Sequence, residues 1–74
     1  MIDKNKLLGK IREKALTQKD VAERIGIDES TFYRKLKKNG QTFTIEEAYK
    51  ISEVLDLTNQ ESIDIFLAPN LRKH

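Results

Sequence analysis

Residues 16–38, LTQKDVAERIGIDESTFYRKLKK, constrain this chain most, because one glycine separates two segments that each carry their own helix start. Thr17 is a good N-cap: its hydroxyl can accept from a free backbone N–H of the opening turn, and Asp20 puts negative charge near the positive helix end. Val21, Ala22 and Ile25 then form one apolar stripe. Gly26 closes the segment, since the residue after a C-cap often needs a positive φ that glycine takes without steric cost. Ile27 plugs the turn, and Asp28 caps the second helix. There Phe32 and Leu36 lie one turn apart and face inward.

Two short helices joined by a tight turn make a helix-turn-helix, whose second helix can lie in a DNA major groove. At these residues the sequence resembles the DNA-binding domains of phage repressors and Cro proteins. The resemblance rests on Gln18 opening the first helix, Ala22 where two helices cross, Gly26 at the turn, and Ile27 and Phe32 in the core. It implies an all-α fold: a compact five-helix lambda repressor-like bundle whose helices 2 and 3 form the helix-turn-helix. Two departures stand out. The family often has glycine near the end of helix 1, where this chain has Ala15, and usually has glycine at Asp56. A third is Lys35, where relatives often carry an aliphatic residue, so that helix 3 could be rolled about its axis.

The flanking sequence supplies the other helices. Residues 3–14 read as helix 1, with Asp3 as cap and Leu7, Leu8, Ile11 and Ala15 on one face. Gly9 weakens that helix by about 1 kcal/mol relative to alanine and would suit close packing. Asn39-Gly40 is a turn signal, and Phe43 is expected to anchor the next helix in the core. Thr44-Ile45-Glu46-Glu47 is a capping box that opens helix 4, running to about Leu55 with Ile45, Ala48, Ile51, Ser52 and Leu55 inward. Thr58-Asn59-Gln60-Glu61 is a second box, opening a fifth helix with Ile63, Phe66 and Leu67 on its inner face. Pro69 is expected to end it, which makes residues 1–68 the domain and 69–74 a flexible tail.

Seventy-four residues with 38% hydrophobic content allow one small domain with one core. No cysteine and a single terminal histidine leave neither a disulfide framework nor clustered zinc ligands, and no catalytic constellation or phosphate-cradling glycine loop is present. The expectation is a non-enzyme with no cofactor and no bound metal. No apolar run has the length of a signal peptide or membrane span, which favours the cytoplasm of a bacterial cell or phage-infected host. Charge is uneven. Residues 1–38 hold eleven Lys/Arg against six Asp/Glu, and residues 39–74 hold three against six, so +5 faces −3 within a net +2. A basic half that contains the helix-turn-helix suits a surface turned toward phosphate.

In a docked helix-turn-helix the exposed N-terminal residues of the second helix reach base edges. Here these are Glu29, Ser30, Tyr33 and Arg34. Arg34 can donate two bonds to guanine O6 and N7, or meet a phosphate or a surface carboxylate. Ser30 suits base or phosphate, and Tyr33 suits a thymine methyl, a phosphate or packing at the helix edge. Glu29 either reads a cytosine amino group or stabilises the helix start. Thr17, Gln18, Lys19, Lys37, Lys38, Asn39 and Thr42 are the expected backbone contacts, which fix register and affinity without carrying sequence information; for Gln18 this follows from the resemblance.

The resulting expectation is a sequence-specific double-stranded DNA-binding regulator, Cro-like or a small repressor, that occludes an operator. So small a domain reaches few base pairs, so two copies on a pseudo-palindromic site are expected, with Ile65 and Leu71 as the dimer patch. The rival reading is a protein-binding helix-turn-helix module such as an antitoxin or antirepressor.

Overall fold

The computed structural model describes residues 2–38 and 43–71, with the Asn70 side chain left out. Five helices follow one another: α1 (Lys4–Glu13), α2 (Gln18–Ile25), α3 (Glu29–Lys37), α4 (Ile45–Val54) and α5 (residues 59–71). No strand occurs among the described residues. The fifth helix opens with an α turn, Asn59–Ser62, widens into a π segment, Ile63–Leu67, and closes with a second α turn, Ala68–Leu71.

Helix limits follow from local chemistry. Asp3 accepts from the Lys6 N–H at the start of α1. Thr17, Thr44 and Thr58 each accept from the backbone N–H three residues on, while Asp20, Glu47 and Glu61 reach back to the threonine N–H. Each box satisfies two donors that the first helical turn leaves free. Asp28 occupies the N-cap position of α3, but its side chain makes no capping hydrogen bond, contrary to expectation.

Helices α1, α2 and α4 all end in the same motif. At α2, Gly26 N–H donates to the Glu23 carbonyl at 3.2 Å and Ile27 N–H to the Ala22 carbonyl at 3.0 Å. Ala15 with Leu16 repeats this on Arg12 and Ile11, and Asp56 with Leu57 repeats it on Glu53 and Ser52. The motif needs a left-handed residue at its pivot. The pivots have φ of 86° at Gly26, 59° at Ala15 and 51° at Asp56. At the two positions where the sequence lacks the glycine of its relatives, the backbone has kept the glycine conformation. In each motif the next residue, Leu16, Ile27 or Leu57, packs against the core and repays part of that strain. Ala15 itself is exposed and not on the inner face of α1.

The core is one cluster. Leu7 and Ile11 come from α1, Val21, Ala22 and Ile25 from α2, Phe32 and Leu36 from α3, Ile51 and Leu55 from α4, and Ile65 from α5, with Ile2 closing one end. Phe43 packs beside it, its ring centroid 5.6 Å from that of Phe32 at a tilt of 58°. No buried side-chain nitrogen or oxygen among the described residues lacks a partner.

Four further sequence expectations fail. Ile45 is 91% exposed instead of buried: at 3.6 residues per turn it stands about 120° round the helix from Ile51, outside the arc that α4 buries. In α5 only Phe66 of the three residues expected inward packs against the core. Ile65 is 1% exposed, whereas Ile63 and Leu67 are 39% and 56% exposed. The half-buried neighbours of Ile65 include the small residues Ser62 and Ala68, and the Ser62 hydroxyl reaches the Ser52 hydroxyl of α4 at 2.9 Å. Pro69 does not end the helix, which continues to Leu71. In α geometry Pro69 would owe an N–H to the Ile65 carbonyl; that carbonyl instead accepts from the Asp3 N–H at 2.8 Å. The expected tail is thus helical as far as Leu71, and residues 72–74 lie outside the described residues. Finally, nothing lies within 4 Å of a Cβ built on Gly9, so no close packing explains that glycine.

Candidate nucleic-acid interface

Helix α3 is held by the side it buries. Phe32 and Leu36 are buried, and Thr31 and Lys35 are half-buried beside them. The helical period then places Ser30, Tyr33, Arg34 and Lys37 within an arc of about 100° on the opposite side, with Glu29 at its edge. All five are exposed, Tyr33 by 57%. The four residues expected to reach bases therefore lie on the outer surface of α3.

The expected backbone contacts are, where described, at the start of α2 and the end of α3. Thr17, Lys19, Lys37 and Lys38 are exposed, and Gln18 is half-buried at the first position of α2. The Thr17 hydroxyl accepts from Asp20 N–H at 3.1 Å, and its own proton remains available to a phosphate oxygen. Gln18 makes no hydrogen bond through its side chain among the described residues, so it can turn to a phosphate or to α3. Asn39 and Thr42 lie outside the described residues. Of the dimer pair, Leu71 is 73% exposed, but Ile65 is a core residue and its side chain offers no surface to a second copy.

Charge sharpens the picture. Lys10, Lys35 and Lys50 are committed to carboxylates within the domain. Lys19, Arg34, Lys37 and Lys38 enter no ion pair among the described residues. Lys4, Lys6, Arg12, Lys14 and Arg24 are also outside any ion pair among the described residues, so the free cations of α3 and of the start of α2 belong to a wider basic surface; at the start of α2 an anion would also meet a helix N-terminus.

Sequence reasoning missed the role of Lys35. Its ammonium lies 2.7 Å from both carboxylate oxygens of Glu47 and 5.7 Å from the Phe43 ring centroid. Both side chains are largely covered, at 17% and 16% exposed. The lysine stem stands where relatives carry an aliphatic residue, and the charge is met by the glutamate of the α4 capping box. One Glu47 oxygen also accepts from Thr44 N–H at 2.9 Å. Burial pushes the Glu47 carboxyl up, but the Lys35 and Thr44 hydrogen bonds outweigh it and hold the group below its ordinary range. This pair ties the recognition helix to α4. No local pattern joins residues twelve apart, so only the fold could reveal it.

The Glu61 box is used in the same way. Lys10 of α1 pairs with it, and that contact first, then the Thr58 N–H, lowers its carboxyl to about 2. Asp20 is likewise held below the ordinary range, by the Thr17 backbone first. Among the described residues no group of three or more His, Cys, Asp or Glu is placed to hold a metal, and no helix is long and apolar enough to cross a membrane.

No curated protein and no solved structure matched the chain. The family model for the Cro/C1-type HTH DNA-binding domain matches residues 6–64, from the first turn of α1 into α5, and so takes in the whole helix-turn-helix. With a left-handed Gly26 between α2 and α3 and an unneutralised basic border beside the outer face of α3, the chain belongs to the Cro/C1-type helix-turn-helix DNA-binding family.

Proposed function

We propose that the protein is a transcription regulator that binds a specific duplex site, of the phage Cro or small-repressor kind, and acts by occluding an operator. The observation that carries this reading is the outer face of α3, where Ser30, Tyr33 and Arg34 stand exposed beside cations that enter no ion pair among the described residues. Arg34 is the principal base-reading residue, through a bidentate contact to guanine. Ser30 and Tyr33 assist it, and Glu29 serves the helix start. Thr17, Gln18, Lys19, Lys37 and Lys38 grip phosphates on either side.

The domain extends 33 Å along its longest axis, and each copy carries a single recognition helix. Half-sites about 34–36 Å apart therefore call for two copies. With Ile65 in the core, the pairing seam would use Leu71 together with Ile63, both exposed on α5. A monomer by sedimentation, both free and on DNA at saturating concentration, would exclude this pairing.

Selection of bound sites from a random duplex pool, followed by titration of two variants, tests the reading. Arg34→Ala should cost about 1–3 kcal/mol at the selected site and relax one base preference. Lys37→Ala should weaken all sequences alike and lower the slope of affinity against salt by about one. If both variants bind like the parent, the docking orientation is wrong. An affinity that barely changes with salt would favour a protein partner on the same face instead.

A further inference from the structure

A second surface of this domain has no part in the DNA contacts above, though Leu67 at its edge lies between the Ile63 and Leu71 proposed for pairing. Between α4 and α5 runs an open groove of about 690 Å3, and none of its lining residues comes from α2 or α3. Its floor includes Ala48, and its lips are Ile45 at 91%, Tyr49 at 65% and Leu67 at 56% exposure. Ile45 and Tyr49 are four residues apart and form one ridge on α4. Side chains this exposed stand above the groove, so a small molecule resting on the floor would leave them in water. Only a segment laid along the groove covers the floor and both lips.

The charge at the rim indicates what that segment carries. Glu53 and Asp56 line the groove, and neither is paired with a cation among the described residues. No Lys or Arg lines it. A second copy docking about a twofold axis would bring this acidic rim against its own image, and like charges at a contact are costly. A cationic partner meets no such opposition.

We propose that the α4–α5 groove is a docking site for a basic amphipathic helix of another protein, with aliphatic side chains at i and i+3 or i+4 seated between Ile45, Tyr49 and Leu67, and lysine or arginine beside Glu53 and Asp56. This is helix-in-groove recognition. It leaves α3 free, so the domain could hold DNA and a protein partner together.

Two synthetic fourteen-residue helical peptides test it, one built of leucine and lysine in amphipathic register and its twin with every lysine replaced by glutamate. Each is titrated into the full chain and followed by backbone amide NMR. The cationic peptide should shift signals of α4 and α5 around Ile45, Tyr49 and Glu53, and its twin should bind at least about tenfold more weakly. Ile45→Ser with Tyr49→Ser should abolish the shifts, and Glu53→Gln with Asp56→Asn should reduce them. All four replaced residues are exposed. DNA affinity should stay at the parental value in both double variants, which separates this test from that of the DNA reading. Equal binding of the two peptides would overturn the proposal. So would no binding of either, loss of DNA affinity on mutating Ile45 and Tyr49, or self-association of the free chain through those two residues.

Discussion

Replacing Lys35 by methionine and Glu47 by glutamine, singly and together, probes the tie between the recognition helix and α4. Lys35→Met keeps the stem that lies against the core and removes the ammonium. Glu47→Gln keeps an oxygen for Thr44 N–H, since glutamine also serves in a capping box, and removes the charge. Fully exposed ion pairs contribute about 0–1 kcal/mol, while removing one partner of a fully buried pair costs about 3–5 kcal/mol. With both side chains about one-sixth exposed and 2.7 Å contacts to both oxygens, the coupling belongs between these limits, at about 1–2 kcal/mol. Each single variant should therefore lose stability, and the double variant should lose less than the two combined by that amount. For a domain of this size each 1 kcal/mol moves Tm by about 4–8 °C, so urea or thermal unfolding resolves the effect. A coupling below about 0.5 kcal/mol would mean that water screens the pair as at an open surface and that it does not tie α3 to α4.

The left-handed pivots give predictions of opposite sign in one motif. Ala15→Gly should stabilise the fold by about 0.5–1 kcal/mol, the left-handed penalty of alanine less the backbone entropy of glycine, and Gly26→Ala should cost about 0.5–1 kcal/mol by the reverse change; equal denaturation midpoints for Ala15→Gly and the parent would refute the strain. Gly9→Ala, in mid-helix with open space around the new methyl group, should add about 0.5–1 kcal/mol, and a loss on urea unfolding would show a contact absent from the structure. The ionised Glu61 carboxyl, lowered from 4.5 to about 2, favours the folded state above pH 4.5, and this contribution is lost as pH falls from there toward 2. Acid unfolding followed by circular dichroism should accordingly be shallower across that window for Glu61→Gln than for the parent, and parallel curves would rule out the Lys10–Glu61 contact as the cause.

The sequence by itself determined where α1, α2, α4 and α5 begin and where α2 ends, because caps act within four or five residues. The Thr17, Thr44 and Thr58 boxes and the Gly26 turn are closed by hydrogen bonds that depend on nothing distant. The outward face of α3 was equally legible, since Phe32 and Leu36 fix one side of a nine-residue helix and leave Ser30, Tyr33 and Arg34 the other. Which residues of α5 turned inward was not, nor that Ile45 of α4 would stay outside. Ile63, Phe66 and Leu67 look like a core stripe, but Ile65 took the buried place, Phe66 packs beside it against the core, and Ile63 and Leu67 stayed outside. The end of α5 and the place of Lys35 also depended on distant partners: the Asp3 N–H on the Ile65 carbonyl, and Glu47 on the Lys35 ammonium. Periodicity reports that a face is apolar; only the shape and charge of the neighbouring helices decide whether it is covered.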